Sequence, residues 1–434
     1  MPDNLPENLK VKIEKLVYGG EGLAHQDGRT VFVPLVLPGE VVSVRPQEQK
    51  KKFLRGRVVQ ILEPSPVRIA APCPHFGICG GCDYQHIPYE QQLTYKAEIL
   101  RETLSRIGHI HWPGIITTHA SPQWHYRNRA QWKITANPGG TPAIGYYEAA
   151  SQKLHSVGEC PVLSPLLEKT LVALGRLIDS RKLPAELREA EAFADHADAK
   201  ILLNVSLDQA RATDEIAELL RAEIGSLETL LIHNRRDDRF DLHGSGYLTY
   251  RVGSHDYRVG HLSFFQVNRF LLDPLVDLVL GDARGTLALD LFAGVGLFAL
   301  PLAMRFGRVI AVESNVAAAR DLKSNLQESG APSPSLRVAN VEDFLAKWRD
   351  RPDFVVLDPP RAGVATPALL RLVNLAPARI AYLSCDPATL ARDLAVLAGN
   401  DQKSGAYTID EIHLVDIFPQ TYHMETLVRL SRRA

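Results

Sequence analysis

From residue 287 onward the chain repeats a strand, helix, strand rhythm, and few architectures can absorb that rhythm. Apolar runs at 287–292, 308–313, 336–339, 354–357 and 380–384 read as strands, and the stretches 296–306 and 315–329 between them read as helices. Such alternation predicts a parallel sheet with helices on both faces, which binds ligands at the carboxyl edge of its strands. The last two apolar runs, 407–418 and 423–430, are separated by a short loop and predict an antiparallel hairpin closing the sheet.

The rest of the chain reads differently. At 434 residues it exceeds what one core organises, so two or three domains are expected. Residues 9–63 alternate short strands with glycine turns, as in a small all-β barrel. Residues 41–70 hold seven basic side chains (Arg45, Lys50, Lys51, Lys52, Arg55, Arg57, Arg68) against Glu48 and Glu63. That balance suits a barrel edge that holds RNA, or simply a solvated face. Residues 89–107 carry Leu93, Ala97, Leu100, Leu104 and Ile107 at helical spacing. Residues 124–252 mix strands (130–135, 200–206, 229–233, 246–252) with helices (165–179, 213–224), an α+β pattern.

Composition narrows the setting. A net charge of −1 gives no global attraction to nucleic acid, so such binding must come from local patches. A second patch, Trp124-His-Tyr-Arg-Asn-Arg-Ala-Gln-Trp-Lys133, interleaves aromatics with cations. The N-terminal residues mix charges and lack the apolar segment of a signal peptide, and the run 291–304 is broken by Gly294, Gly296 and Pro301. A cytoplasmic protein without a membrane span is therefore expected. Five cysteines are too few for a disulfide scaffold, and their odd number suggests four plus one.

The chemistry concentrates at strand ends. Asp290-Leu-Phe-Ala-Gly-Val-Gly296 closes the first strand of the repeat, where glycines let a ligand approach backbone N–H groups. Glu313, seventeen residues past Gly296, ends the next strand and can accept hydrogen bonds from a ribose. The fourth strand ends in Asp358-Pro-Pro-Arg361, which favours a methyltransferase over a dehydrogenase. Tyr382-Leu-Ser-Cys385-Asp-Pro places a lone thiol at the same edge. Uracil C5 is a poor nucleophile, and a thiolate added to C6 turns C5 into a carbon able to attack a methyl sulfonium. The C5 proton must then leave, which requires a base. Glu425, in His423-Met-Glu425-Thr, is equally readable as that base or as a partnered edge-strand carboxylate. Cys73, Cys79, Cys82 and the distant Cys160 form a four-thiol set suited to an iron–sulfur cluster or to structural zinc. Spacing does not decide between them, although three close cysteines plus one distant lean toward a cluster.

Together these motifs resemble the uracil-5 RNA methyltransferase family, in its 23S ribosomal RNA branch. The most specific pieces are the four cysteines, Asp358-Pro-Pro-Arg361, Leu383-Ser-Cys-Asp-Pro387 and Phe418-Pro-Gln-Thr-Tyr-His-Met-Glu425. The resemblance implies an OB-like TRAM β-barrel over 1–67, a central α+β domain over 68–255 with a [4Fe-4S] cluster, and a Rossmann-like class I methyltransferase domain over 256–434. It implies Cys385 as nucleophile, Glu425 as base, and Gln266, Phe292, Glu313, Asn340, Asp358, Gly294 and Gly296 around S-adenosyl-L-methionine. Leu297 follows the second glycine where the family often has Asn or Thr, so a backbone contact is expected there. The cluster would be structural and RNA-facing. The implied substrate is 23S rRNA, with transfer RNA the alternative, and the implied state is a monomer.

Two rival readings differ in class. An RNA 5-methylcytosine enzyme would carry a further cysteine after the fourth-strand proline, where this chain has only Pro359 and Pro360. A noncatalytic RNA-binding scaffold would not need both Cys385 and Glu425.

Overall fold

The computed structural model describes residues 8–136, 142–209, 212–330, 334–399 and 405–433. Residues 1–7, part of the mixed-charge N-terminus, lie outside them.

Residues 9–63 form a six-stranded sheet in which Val11, Val31, Val33, Val42, Val44 and Leu54 alternate inward to make one small core. Its basic edge is only partly free for a partner. Arg68 grips the fully buried Glu40 with two nitrogens at 2.6 and 2.8 Å, and Arg55 pairs with Glu21. Arg45, Lys51, Lys52 and Arg57 are exposed.

The long helix Tyr89–Gly108 follows the cysteine loop. Its buried stripe keeps Leu100 and Leu104 of the apolar spacing but is rotated from the rest of it. Gln92, Lys96, Ile99, Leu100, Leu104 and Gly108 face inward, whereas Ile107 is 48% exposed. The stripe has rotated toward two polar side chains because both find partners inside, which removes the cost of burying them.

A seven-stranded mixed sheet packs one face on the helices Pro165–Asp179 and Thr213–Glu223. Ser164 caps the first of these, with Pro165 at the first helical position, so that helix begins where its sequence signals say. The interleaved patch at 124–133 runs into the strand Arg129–Ala136 of this sheet. Tyr126 and Trp132 are wholly buried, Arg129 pairs with Glu191 and Lys133 with Glu189. Strand alternation sends Trp132 into the core, and Tyr126 is buried ahead of the strand with its hydroxyl on the Pro419 carbonyl, so neither ring can stack on nucleic acid.

The C-terminal eight-stranded sheet carries helices and core on both faces. Gly285–Leu291, Phe306–Glu313, Pro334–Val338, Phe354–Leu357 and Arg379–Ser384 are parallel. Glu425–Arg432 and Tyr407–Val415 form the predicted antiparallel hairpin. Beyond it lies Ile116–His119 from much earlier in the chain. The helix predicted at 296–306 is shorter, Ala299–Ala303, because Gly294 and Gly296 adopt positive φ and hold the preceding turn open. Among the described residues no helix is long and apolar enough to cross a membrane.

Candidate active site

Four strand ends converge at the carboxyl edge of the eight-stranded sheet. Gly285–Leu291 ends in Phe292 at φ 66°, and the turn continues through Gly294 and Gly296. Gly296 sits at φ 96°, a conformation that favours glycine, and a Cβ there would also stand 2.5 Å from a Leu322 methyl. Glu313, at the end of the neighbouring strand, accepts from the Gly294 N–H at 2.8 Å and from the Asn315 N–H at 2.6 Å. The dinucleotide-like turn is therefore braced by the same carboxylate that the sequence marks as a ribose ligand.

Asp290 was not among the candidates from sequence. It is fully buried, and among the described residues neither carboxylate oxygen has a hydrogen-bond partner. Burial, then Asp358, then Glu313 push its pKa up to about 8. In sequence Asp290 only opens the glycine motif that runs to Gly296; its unpartnered burial is what singles it out. Asp358, at the end of Phe354–Leu357, is raised to about 7 by burial.

Cys385 follows the buried strand Arg379–Ser384 and precedes the helix Pro387–Ala398. Asp386 caps that helix, accepting from Ala388 and Thr389 N–H groups at 3.0 and 2.9 Å. The Asp-Pro pair after the thiol is thus a helix start, which puts the sulfur near the positive end of a helix dipole. Antiparallel pairing matches Arg379 with Ser431 and continues to Ser384 with Thr426. Cys385 and Glu425 are the residues directly beyond that last pair, which brings the end of one strand beside the start of the other.

The electrostatics agree with this placement. The Cys385 thiol is pushed up to about 11 by burial first and by the Glu425 and Asp358 carboxyls, while the Arg361 guanidinium pulls it down. Glu425 is buried, its Oε1 lacks a hydrogen-bond partner among the described residues, and burial together with Asp358 raises its pKa well above the usual range. A satisfied edge carboxylate would have had partners. His423, beside Arg361 at 3.4 Å, is kept neutral by burial, its pKa near 4. From the barrel, the Tyr18 hydroxyl donates to the Cys385 carbonyl at 3.4 Å, and its ring meets Tyr422 edge-on.

The remaining candidates take different positions. Gln266 is buried in the segment that Asn268 ties to the Ile417 carbonyl at 3.0 Å. Asn340 begins the helix Val341–Lys347 without a side-chain cap bond, so its amide is available. Leu297 is packed in the core, and its carbonyl accepts from the Tyr257 hydroxyl at 3.0 Å. Its side chain offers a ligand nothing polar.

Cys73, Cys79, Cys82 and Cys160 line a single pocket with His75, Phe76, Arg127 and Tyr146, well apart in sequence from Cys385. Burial raises Cys82 to about 12 and Cys160 to about 11. Among the described residues no group of three or more His, Cys, Asp or Glu side chains is arranged to hold a metal ion.

Comparison with known proteins decides the family. The tRNA (uracil-5-)-methyltransferase profile matches residues 88–331 and 341–433, and the TRAM profile matches 7–59. The chain belongs to the tRNA (uracil-5-)-methyltransferase family, whose members include enzymes named for ribosomal RNA. A protein of Alkalilimnicola ehrlichii named 23S rRNA (uracil(1939)-C(5))-methyltransferase RlmD is 33% identical over 99% of this chain and 97% of its own length. A namesake from Azoarcus sp. is 34% identical over 97% and 99%. The crystal structure of Pyrococcus abyssi tRNA (uracil-54, C5)-methyltransferase in complex with S-adenosyl-L-homocysteine superposes with a TM-score of 0.77 at 25% identity, covering 97% of this chain and 99% of that one. This family member is accordingly an RNA uracil-C5 methyltransferase with an N-terminal TRAM domain.

Proposed function

We propose that this chain methylates C5 of a uridine in 23S ribosomal RNA, using S-adenosylmethionine, with Cys385 as nucleophile and Glu425 as base. The observation that carries the reading is that Cys385 and Glu425 lie directly beyond the paired Ser384 and Thr426, close enough for the carboxyl to act on the thiol. The ribosomal substrate is supported by relatives over nearly the full length, and a monomer acting in the cytoplasm is the corresponding proposal. Residues 1–67 would hold RNA, 68–255 would carry the cysteine centre, and 256–434 would carry the chemistry.

The site fits a cationic cofactor. Asp290, Asp358 and Glu425 are crowded carboxyls with raised pKa values, and they lack a compensating positive charge. S-adenosylmethionine would be held by Glu313 and Asp358, by the glycine turn 294–296 with Phe292 and the Leu297 backbone, and by Gln266 and Asn340. When bound, it supplies a methyl group on a sulfonium for transfer to the activated C5.

The chain's own residues do the rest. Arg361 and the helix start after Cys385 favour the thiolate, which adds to uracil C6 and moves the ring's electron pair to C5. After C5 is alkylated, Glu425 as carboxylate takes the C5 proton. The C5–C6 double bond re-forms, the C6–S bond breaks, and the thiolate is returned.

The four-thiol pocket fits a [4Fe-4S] cluster. Four thiols lining one pocket are a donor set that either an iron–sulfur cluster or a structural zinc can take, and three close cysteines with one distant lean toward the cluster. Cys73, Cys79, Cys82 and Cys160 would hold it, and its contribution would be to tie the loop together.

Mapping 5-methyluridine in ribosomal and transfer RNA from a deletion strain tests the substrate. Loss from 23S rRNA alone is the expected result; loss from transfer RNA alone would assign the other substrate.

A further inference from the structure

Glu425 is the first residue of its strand and pairs with Val415 at the last rung before the turn 416–424. Strand ends fray unless something outside the ladder holds them. Alongside Asn268 on Ile417 and Tyr126 on Pro419, the turn is held by the helix Tyr89–Gly108, through two polar side chains one helical turn apart. Lys96, fully buried, donates to Asp416 Oδ1 at 2.6 Å and to the Phe418 carbonyl at 3.1 Å. Gln92, equally buried, grips Gln420 twice: its Nε2 donates to Gln420 Oε1 at 3.0 Å and its Oε1 accepts from the Gln420 N–H at 3.1 Å. The same Nε2 reaches the Tyr84 and Ile87 carbonyls at 3.1 and 2.9 Å, and the Asp83 and Tyr84 N–H groups both donate to the Gln420 carbonyl at 2.9 Å. Gln420 itself is held at φ 68°, a conformation costly for a side chain that large.

We infer that Gln92 and Lys96 are positioning residues for Glu425: they hold the turn preceding it in one conformation and so keep its carboxyl over the bond it must deprotonate. A buried lysine–aspartate pair is a poor source of stability, whereas it fixes geometry well. The inference rests on Glu425 being the base.

Single-turnover reactions with a uridine-containing 23S rRNA fragment separate RNA covalently held on Cys385 from released product. If C5 deprotonation is slowed, methylated RNA stays attached through the C6–S bond. Glu425→Gln is the reference and should retain most of the RNA as methylated adduct. Gln92→Leu, and the double variant Lys96→Met with Asp416→Leu that leaves no lone buried charge, should lower kcat about tenfold or more and raise the adduct fraction, with KM changed less than about twofold. Should Gln92→Leu fail to fold, Gln420→Gly decides in its place, because glycine keeps the left-handed backbone without strain. Slower turnover without methylated adduct, or unchanged turnover, overturns the inference while Glu425→Gln still accumulates adduct. If Glu425→Gln accumulates none, the base reading itself falls, and the positioning role with it.

Discussion

Cys385 and Glu425 are the residues directly beyond the paired Ser384 and Thr426, one just past the end of a parallel strand and the other at the start of a strand of the antiparallel closing hairpin. Burial and then the Glu425 carboxyl raise the pKa of the Cys385 thiol. In the proposed reaction this thiol and this carboxyl, forty residues apart in the chain, would share one uracil ring, the thiol on C6 and the carboxyl near C5.

Cofactor affinity should rise with pH. Asp358 and Asp290, with pKa values near 7 and 8, are largely protonated in the empty site at pH 6, and a cationic ligand prefers them ionised. Calorimetry in buffers of different ionisation enthalpy should therefore show protons released on binding S-adenosylmethionine between pH 6 and 8. S-adenosylhomocysteine, without the sulfonium charge, should release fewer.

The ligand-free protein should lose stability over the same range. Asp290 is raised from an ordinary carboxyl value to about 8, so its protonated form matches the fold. Its contribution is fully present below about pH 4 and is lost as pH rises through 8. Asp290→Asn should remove that loss and leave the protein more stable than wild type by roughly 1–3 kcal/mol at pH 8 in denaturant titrations, with weaker cofactor binding. An Asn variant less stable than wild type at pH 8 would show that Asp290 is ionised in the fold.

The cysteine centre should bind about four irons and as many sulfides per chain after anaerobic reconstitution. Cys79→Ser should lower the iron content, the melting temperature and RNA affinity together. One zinc and no sulfide would assign the pocket to a structural ion, and an intact fold, RNA affinity and turnover in Cys79→Ser would remove its structural role.

What could be read in advance follows from how local each signal is. The helix Pro165–Asp179 was legible to the residue because Ser164, Pro165 and an apolar stripe all lie within it. The Gly294–Gly296 turn, Asp358 and Cys385 were legible because strand ends collect ligands in such sheets. The buried face of Tyr89–Gly108 was not, since Gln92 and Lys96 look solvent-facing until Gln420 and Asp416 arrive from more than three hundred residues away. The rings of the patch at 124–133 were not readable for the converse reason: strand alternation buries Trp132 and a contact to Pro419 buries Tyr126, and sequence spacing cannot show which face is covered. Asp290 and the Tyr18 contact to Cys385 depend wholly on long-range packing.

The central claim is that Cys385 attacks the pyrimidine ring. Incubating the protein with S-adenosylmethionine and RNA carrying 5-fluorouridine tests it directly, because fluorine cannot leave C5 as a proton does. A covalent protein–RNA complex bearing one added methyl group, lost in Cys385→Ala, is the predicted result. No complex with wild type, or one that survives Cys385→Ala, would contradict it.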